Sequence, residues 1–331
     1  MSCVASSRSL TAPWPSRIVG VSHALRDAVM LAFQFAGTDV PVLLTGETGT
    51  GKELLAQEIH RWSGRRGALV DVNCGALPRE MIESLLFGHR RGAFTGAHEA
   101  SAGLIEAAGD GTLFLDELCS LPREGQSKLL RVLEGGEYRR VGETVKRQAR
   151  FRTIAAINTG VRELLASAQL RPDLYQRLAG VIVQLPPLRE RPEDLMPLAS
   201  HFAAESDYQL AATCEGALRD HSWPGNVREL RATILRAAVM CDTPTISSTV
   251  LVRAVDHTSH SMVGSGDAPL CSVLSRASLE SLCQSHGWSI ERLAQAMGVS
   301  RATLYRRLKS AGLSRPRVSH VSEGLMRQGE T

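Results

Sequence analysis

A glycine-rich loop set between an apolar run and a helical stretch is the strongest constraint in this chain. Val42-Leu43-Leu44 leads into Gly46-Glu47-Thr48-Gly49-Thr50-Gly51-Lys52, and helical spacing opens at Glu53. Strand, loop and helix in that order are the context of a phosphate-binding loop. Its glycines let successive backbone N–H groups converge on phosphate oxygens, the helix N-terminus adds partial positive charge, and Lys52 supplies a full one. ATP or GTP is the implied ligand. Glu53 stands where the general motif has a Ser or Thr for Mg2+, so the metal is expected to rely on a carboxylate elsewhere and on water.

The rest of the chain is consistent with the architecture such a loop requires. Apolar runs at 40–44, 69–72, 112–115, 152–157 and 181–185 alternate with helical stretches at 53–62, 81–87 and 123–133. Near-continuous apolar strands separated by helices predict an α/β fold with a parallel sheet covered on both faces. The expected boundaries are a disordered Ser- and Pro-rich leader over 1–16, an α/β core over 17–187 and an all-helical lid over 188–256, where strand patterning stops after Pro186-Pro187. Residues 257–270 are rich in Ser, His and Gly without an apolar period and read as a linker. His257 and His260 have no Cys or carboxylate at ligand spacing and read as solvated.

With 331 residues, 43% of them hydrophobic, the chain can bury one large core and one or two smaller ones. Its seven cysteines are odd in number, dispersed and free of any Cys-x-x-Cys spacing, as expected of reduced packing residues in a cytosolic protein. No apolar stretch approaches membrane-spanning length, so a cytoplasmic protein with no membrane partner is expected. The formal charge of +4 is mild, but seven Arg or Lys and no Asp or Glu lie between Arg292 and His320. That end is a candidate polyanion binder or a solvated basic tail.

Asp116 and Glu117 close the run Thr112-Leu113-Phe114-Leu115, at the carboxyl edge where open α/β sheets bind ligands. Asp116 is expected to hold hydrated Mg2+, and Glu117 to orient and deprotonate the attacking water. Between the phosphate loop and this pair lies Gly92-Ala93-Phe94-Thr95-Gly96-Ala97, a small flexible segment carrying one large apolar side chain. Its placement predicts nucleotide chemistry coupled to a moving surface loop, with Phe94 as a partner contact.

With these residues in view, the chain resembles the sigma-54-dependent transcriptional activators of the AAA+ ATPase superfamily over about 17–256, and again over about 271–314. The unbroken Gly92–Ala97 signature is the most specific mark. Gly111–Glu117, Leu185–Arg191 and Trp223–Leu230 match as well. The resemblance implies an AAA+ core with a helical lid that hydrolyses ATP with Mg2+ as a homo- or hetero-hexameric ring. It implies that residues 92–97 touch sigma-54 in the closed polymerase complex. By motif position, Arg171 and Arg177 match arginine fingers that reach a neighbouring subunit, Arg228 a nucleotide sensor, Asn73 the residue that restrains the catalytic glutamate, and Asn158 the sensor ending the fourth core strand. Three departures bear on coupling: Ile157 replaces a Thr, Arg90 replaces a Glu, and Leu104-Ile105-Glu106 stands where Arg-Phe-Glu is usual. With fewer than twenty residues before the core, the layout is similar to the phage-shock and type III secretion branches, which implies control by abundance or by a trans-acting regulatory protein. A regulator uncoupled from sigma-54 and a general remodelling ATPase are the competing readings.

Residues 289–313 read as a helix-turn-helix: a first helix over 290–297, a turn at Gly298-Val299, and a second helix opened by Ser300. The second helix carries Arg301, Thr303, Tyr305, Arg306, Arg307 and Lys309, with its first residues expected at base edges and its later cations at phosphates. This block resembles the Fis-type domain of the same family, which implies binding to enhancer DNA over 271–314, followed by a basic flexible tail over 315–331.

Overall fold

Five of the apolar runs form one parallel sheet in a computed structural model that describes residues 17–259, apart from 77, 79 and 80, and five isolated positions beyond: Cys283, Ser289, Arg292, Leu293 and Leu308. The strands are β1 (Val42–Thr45), β2 (Leu69–Asn73), β3 (Thr112–Asp116), β4 (Arg152–Ile157) and β5 (Val181–Gln184). Their spatial order is β2-β3-β4-β1-β5 with every pair parallel. The central strands are buried on both faces, which is why they lack alternation in sequence. Leu43, Leu113, Leu115, Ala155 and Ile157 enter one apolar cluster, whereas Val42, Leu44, Phe114, Ile154 and Ala156 enter the other. At the edge, β5 alternates buried and exposed residues and leaves Ile182 at the surface.

Helices α1 (His23–Ala36) and α2 (Lys52–Ser63) cover one face, contributing Leu25, Val29, Ala32, Leu55, Ala56 and Ile59. The other face is covered by α3 (Arg123–Gly135) and α4 (Pro172–Leu178), with Leu129, Val132, Leu174 and Leu178, and by the short helix Ile82–Phe87. Arg152, fully buried on β4, donates to the carbonyls of Phe35 at 2.8 Å and Ala36, so the end of α1 is capped by the sheet.

Residues 88–148 add two small antiparallel pairs that the strand pattern does not reveal. Gly88–His89 pairs with Ser101–Ala102, and Glu137–Tyr138 pairs with Arg147–Gln148. Two-residue strands carry no measurable hydrophobic period.

The chain divides into two compact units. One runs to Phe202 and includes Ala212–Arg231; the other comprises Ala203–Ala211 and the chain from Ala232. The division falls inside the helix α5 (Asn226–Met240). In the second unit Gln209–Leu210 pairs in parallel with Thr245–Ile246, and the helix Ser248–Ser259 buries Leu251 and Ala254. Two sequence expectations are corrected here. The region after Pro187 is not wholly helical, because Gln209 N donates to the Pro244 carbonyl and Ala211 N to the Ile246 carbonyl, an extended pairing too short to read in sequence. The linker does not begin at 257, because the helix Ser248–Ser259 continues past that position with no Gly or Pro to stop it. The leader over 1–16, the helix-turn-helix with Ser300, Arg301, Thr303, Tyr305, Arg306, Arg307 and Lys309, and the tail lie outside the described residues.

Candidate functional site

The loop between β1 and α2 takes the shape its glycines predict. Gly46, Gly49 and Gly51 all have positive φ, and Gly51, in the left-handed region, begins α2 without a side-chain cap. The first N–H groups of α2 therefore have no intrahelical partner, the arrangement that receives an anion. Gly49 has a second reason to be glycine: a Cβ there would lie 2.3 Å from the Gly225 carbonyl oxygen.

Lys52 is only 6% exposed. Its Nζ donates to the carbonyls of Gly46 at 2.7 Å and Glu47 at 2.9 Å. Burial pulls its pKa down to about 8; Arg228 pushes the same way, and Asp116, Glu117 and Glu47 oppose it. The two strand-end carboxylates and the loop cation thus share one field.

Glu47 and Thr48 are held by residues 142 to 179 positions away. Arg189 makes a two-pronged pair with the Glu47 carboxylate at 2.6 and 2.8 Å. This contact, with a bond from Asn226, brings the Glu47 pKa down to about 2. Asn226 is fully buried with φ of 53°. Its amide donates to Glu47 at 3.1 Å and to the Thr48 carbonyl at 3.0 Å, while its oxygen accepts from Leu188 N at 2.7 Å. Val227 N adds a bond to the Gly49 carbonyl at 3.0 Å. Arg228, exposed on the first turn of α5, belongs to the same unit as the sheet.

Asp116 ends β3, and its Oδ1 accepts from Glu117 N at 2.9 Å. Glu117 has φ of 51°, the left-handed conformation that a non-glycine residue adopts at a cost of order 1–3 kcal/mol and that clusters at active sites. This twist turns its carboxylate toward the chain beyond β2, where a Cβ on Gly75 would meet Oε2. Asn158, just after β4, donates to Glu117 Oε1 at 3.4 Å. Asn73, opposite Asp116 in the sheet, instead accepts from the N–H groups of Gly75 and Ala76 at 2.9 and 3.0 Å. Among the described residues it shapes that turn, and the side chain that donates to Glu117 is Asn158.

Arg171 pairs with Asp173 at 2.7 and 3.0 Å and donates to Ser127 at 2.8 Å. Arg177 forks onto the Leu133 carbonyl at 2.6 and 2.9 Å, and no carboxylate among the described residues pairs with it. Its charge is thus held by a carbonyl without being neutralised.

Residues 92–97 form a closed turn, with Gly92 N donating to the Ala97 carbonyl at 2.8 Å and Ala97 N to the Phe94 carbonyl at 3.1 Å. Gly92 and Gly96 have φ of 78° and 102° with open space where a Cβ would stand, so backbone conformation alone requires them. Phe94 is 43% exposed, its ring 5.0 Å from that of His89. The base of the loop is tied to residues 137–148: Arg90 N donates to the Val141 carbonyl and Val141 N to the Gly88 carbonyl. Glu106 binds Arg140 at 2.8 Å and Tyr138 Oη at 2.8 Å, and Ile105 beside it is fully buried. At the three departures, Ile157 is buried at the end of β4, Arg90 engages through its backbone, and Ile105 fills the core.

Asn226, Arg189 and Arg191 escaped the sequence reading although they sit in its matching blocks. The one local signal was Gly225-Asn226 after a proline, a pair that favours a left-handed turn. Among the described residues Cys74, Cys119, Cys214, Cys241 and Cys283 are not joined in disulfides, and burial raises Cys74 to about 12. Among the described residues no helix is long and apolar enough to cross a membrane.

Comparison with known proteins agrees with this geometry. Residues 18–184 match the family described as the Sigma-54 interaction domain, and residues 189–266 match the AAA+ ATPase lid domain. The alginate biosynthesis transcriptional regulatory protein AlgB of Pseudomonas aeruginosa is 40% identical over 300 residues, covering 88% of this chain and 67% of that protein. The sigma54-dependent transcriptional activator SfnR of Pseudomonas putida is 46% identical over 223 residues, 65% of this chain and 61% of that one. The chain therefore spans about two thirds or less of the length of these curated relatives. The crystal structure of NtrX from Brucella abortus in complex with ATP superposes with a TM-score of 0.66 at 30% identity, over 89% of this chain and 70% of that one.

Proposed function

This chain is a member of the sigma-54-dependent transcriptional activators, with the α/β core and helical lid of the AAA+ ATPases, and from that premise we propose that it hydrolyses ATP as a ring to remodel the closed complex of sigma-54 RNA polymerase on promoter DNA. The observation that carries the reading is Phe94, exposed at the tip of a glycine-bracketed turn whose base is bonded into the ATPase core. A large apolar side chain held out on a small loop is built to touch a partner.

The residues divide the chemistry as follows. The loop N–H groups and the first turn of α2 receive the β and γ phosphates, and Lys52 exchanges the carbonyls of Gly46 and Glu47 for phosphate oxygens. Glu117 takes the proton of the attacking water, with Asn158 orienting its carboxylate. Arg177, whose charge no described carboxylate neutralises, reaches the neighbouring subunit's site, with Arg171 beside it. Arg228 reports the state of the site to the lid. A magnesium ion fits this donor set: Asp116 and Glu117 bring two carboxylates close enough to the phosphate loop to act on the charge of Lys52, and Mg2+ is commonly held by one or two carboxylates, substrate phosphates and water. Asp116 would hold it, and when bound it supplies charge neutralisation at the phosphates. The basic segment carrying Ser300, Arg301, Thr303, Tyr305, Arg306, Arg307 and Lys309 brings the ring to upstream DNA.

The test is reconstitution with sigma-54 polymerase on a promoter. Thr95→Ala is expected to abolish ATP-dependent open-complex formation while ATP hydrolysis continues. A Thr95→Ala protein that activates as well as the wild type refutes the loop's role.

A further inference from the structure

Arg191 precedes the 3-10 turn Pro192–Asp194 and Asp194 ends it, and both are almost wholly inaccessible, at 2% and 0% exposure. Burying two ions costs several kcal/mol of hydration unless their geometry is excellent, and here the closest approach between them is 3.8 Å. Their shorter bonds go to two separate pieces of backbone. Arg191 Nη2 donates to the Thr50 carbonyl, inside the phosphate loop, at 2.9 Å. Asp194 Oδ1 accepts from Val21 N at 2.5 Å and Ser22 N at 2.8 Å, and Oδ2 accepts from Ser22 Oγ at 2.7 Å, where the chain enters α1. Among the described residues Arg191 Nε has no hydrogen-bond partner, which adds to the cost of burying this ion.

Peptide geometry shows what the arrangement achieves. In a trans peptide the carbonyl and the next N–H lie in one plane and point in opposite directions, and no cis peptide occurs among the described residues. Arg191 draws the Thr50 carbonyl toward itself, so the Gly51 N–H is turned to the side away from Arg191. Gly51 has φ of 109° and no side chain to bias it, so nothing local prevents this peptide from flipping its N–H away.

We propose that Arg191 is a positioning residue for nucleotide binding: it aims the Gly51 N–H at the phosphates without touching them, and Asp194 holds Arg191 in place while registering the start of α1 to the loop. The inference rests on the phosphate loop taking a nucleoside di- or triphosphate.

The test is titration of the full chain with a fluorescent N-methylanthraniloyl ADP, with adenosine as competitor, well below the melting transition that circular dichroism gives for each variant. Arg191→Met is expected to raise the Kd for the ADP analogue about tenfold, the scale of one lost hydrogen bond to a charged ligand. Arg191→Lys, which keeps a cation but not the fork, is expected to fall between the two. Adenosine, which lacks phosphates, should compete equally well in all. A Kd within twofold of wild type in folded Arg191→Met overturns the proposal even if its melting temperature falls; if that variant does not fold, the same result in Arg191→Lys overturns it. Wild-type protein that fails to bind the ADP analogue refutes the nucleotide reading and this role with it, whereas binding wild type with indifferent variants refutes this role alone.

Discussion

Raising the pH should weaken nucleotide binding and, over the same range, relieve a cost that Lys52 imposes on the fold, because both effects originate in its buried amine. Its amine is buried against two loop carbonyls, and desolvation brings its pKa down to about 8. Phosphates need the charged form, and the free protein holds that form at roughly nine sites in ten at pH 7 and one in ten at pH 9. Affinity should therefore fall about tenfold between those values, or about 1.4 kcal/mol. The stability term has the opposite sign. The folded pKa lies below the ordinary 10.5, so between about 8 and 10.5 the unfolded chain binds the proton more tightly than the folded one. The cost of burying the charge is fully present below about 8 and is relieved as the pH climbs, an effect of order 3 kcal/mol. Asp71, raised by burial and by Glu53 and Asp116 to about 6, titrates below this range, whereas Cys74 and Cys119, raised chiefly by burial to about 12 and 11 from an ordinary 9, act with the opposite sign above about pH 9, where the unfolded chain loses those protons first. Anisotropy titrations with an ADP analogue between pH 7.5 and 9.5, beside urea denaturation of the same samples, measure both slopes. Lys52→Met should remove the affinity slope, and the difference between its stability profile and that of the wild type isolates the Lys52 contribution. A flat affinity profile in the wild type, or the same slope in Lys52→Met, refutes the assignment.

Other perturbations separate the site's parts. Gly49→Ala must place a methyl 2.3 Å from the Gly225 oxygen at φ of 81° and should cost at least about 2 kcal/mol by thermal denaturation; an unchanged melting temperature would contradict the packing described. Asn226→Ala strands the buried Leu188 N–H and should lose about 2–4 kcal/mol in urea, part of it from an alanine forced to positive φ. Glu117→Gln should bind ADP normally yet hydrolyse ATP about 10²–10⁴-fold more slowly, and near-normal hydrolysis would remove it as the base. Phe94→Ala, at an exposed tip, should leave melting temperature and hydrolysis unchanged and abolish open-complex formation, read by permanganate footprinting.

What could be read from the sequence was whatever local chemistry dictates. The buried strands show as unbroken apolar runs because both faces of the sheet are covered. The phosphate loop shows because only glycine tolerates its backbone, and the tip at Phe94 because one aromatic stands alone among small residues. Asp116 and Glu117 are legible as a pair at a strand end, with a separate role expected of each, but the geometry that sets them apart is not. The positive φ of Glu117 and its bond from Asn158 depend on where β4 lies beside β3. The two-residue pairings at 88–102, 137–148 and 209–246 are also invisible, since strands that short are made by their partners and carry no period of their own.

The amino-acid order alone determined the apolar strands, the glycine-rich cradle after β1 and the exposed turn at Phe94, because each follows from residues within a few positions of one another. Tertiary structure decided what holds the cradle: Arg189 and Asn226 on Glu47, Arg191 on Thr50, and Asp194 on the start of α1. Those contacts join residues 141 to 179 positions apart. A buried charge or a left-handed asparagine can be recognised only once the chain has closed around it and removed the water that would otherwise satisfy it.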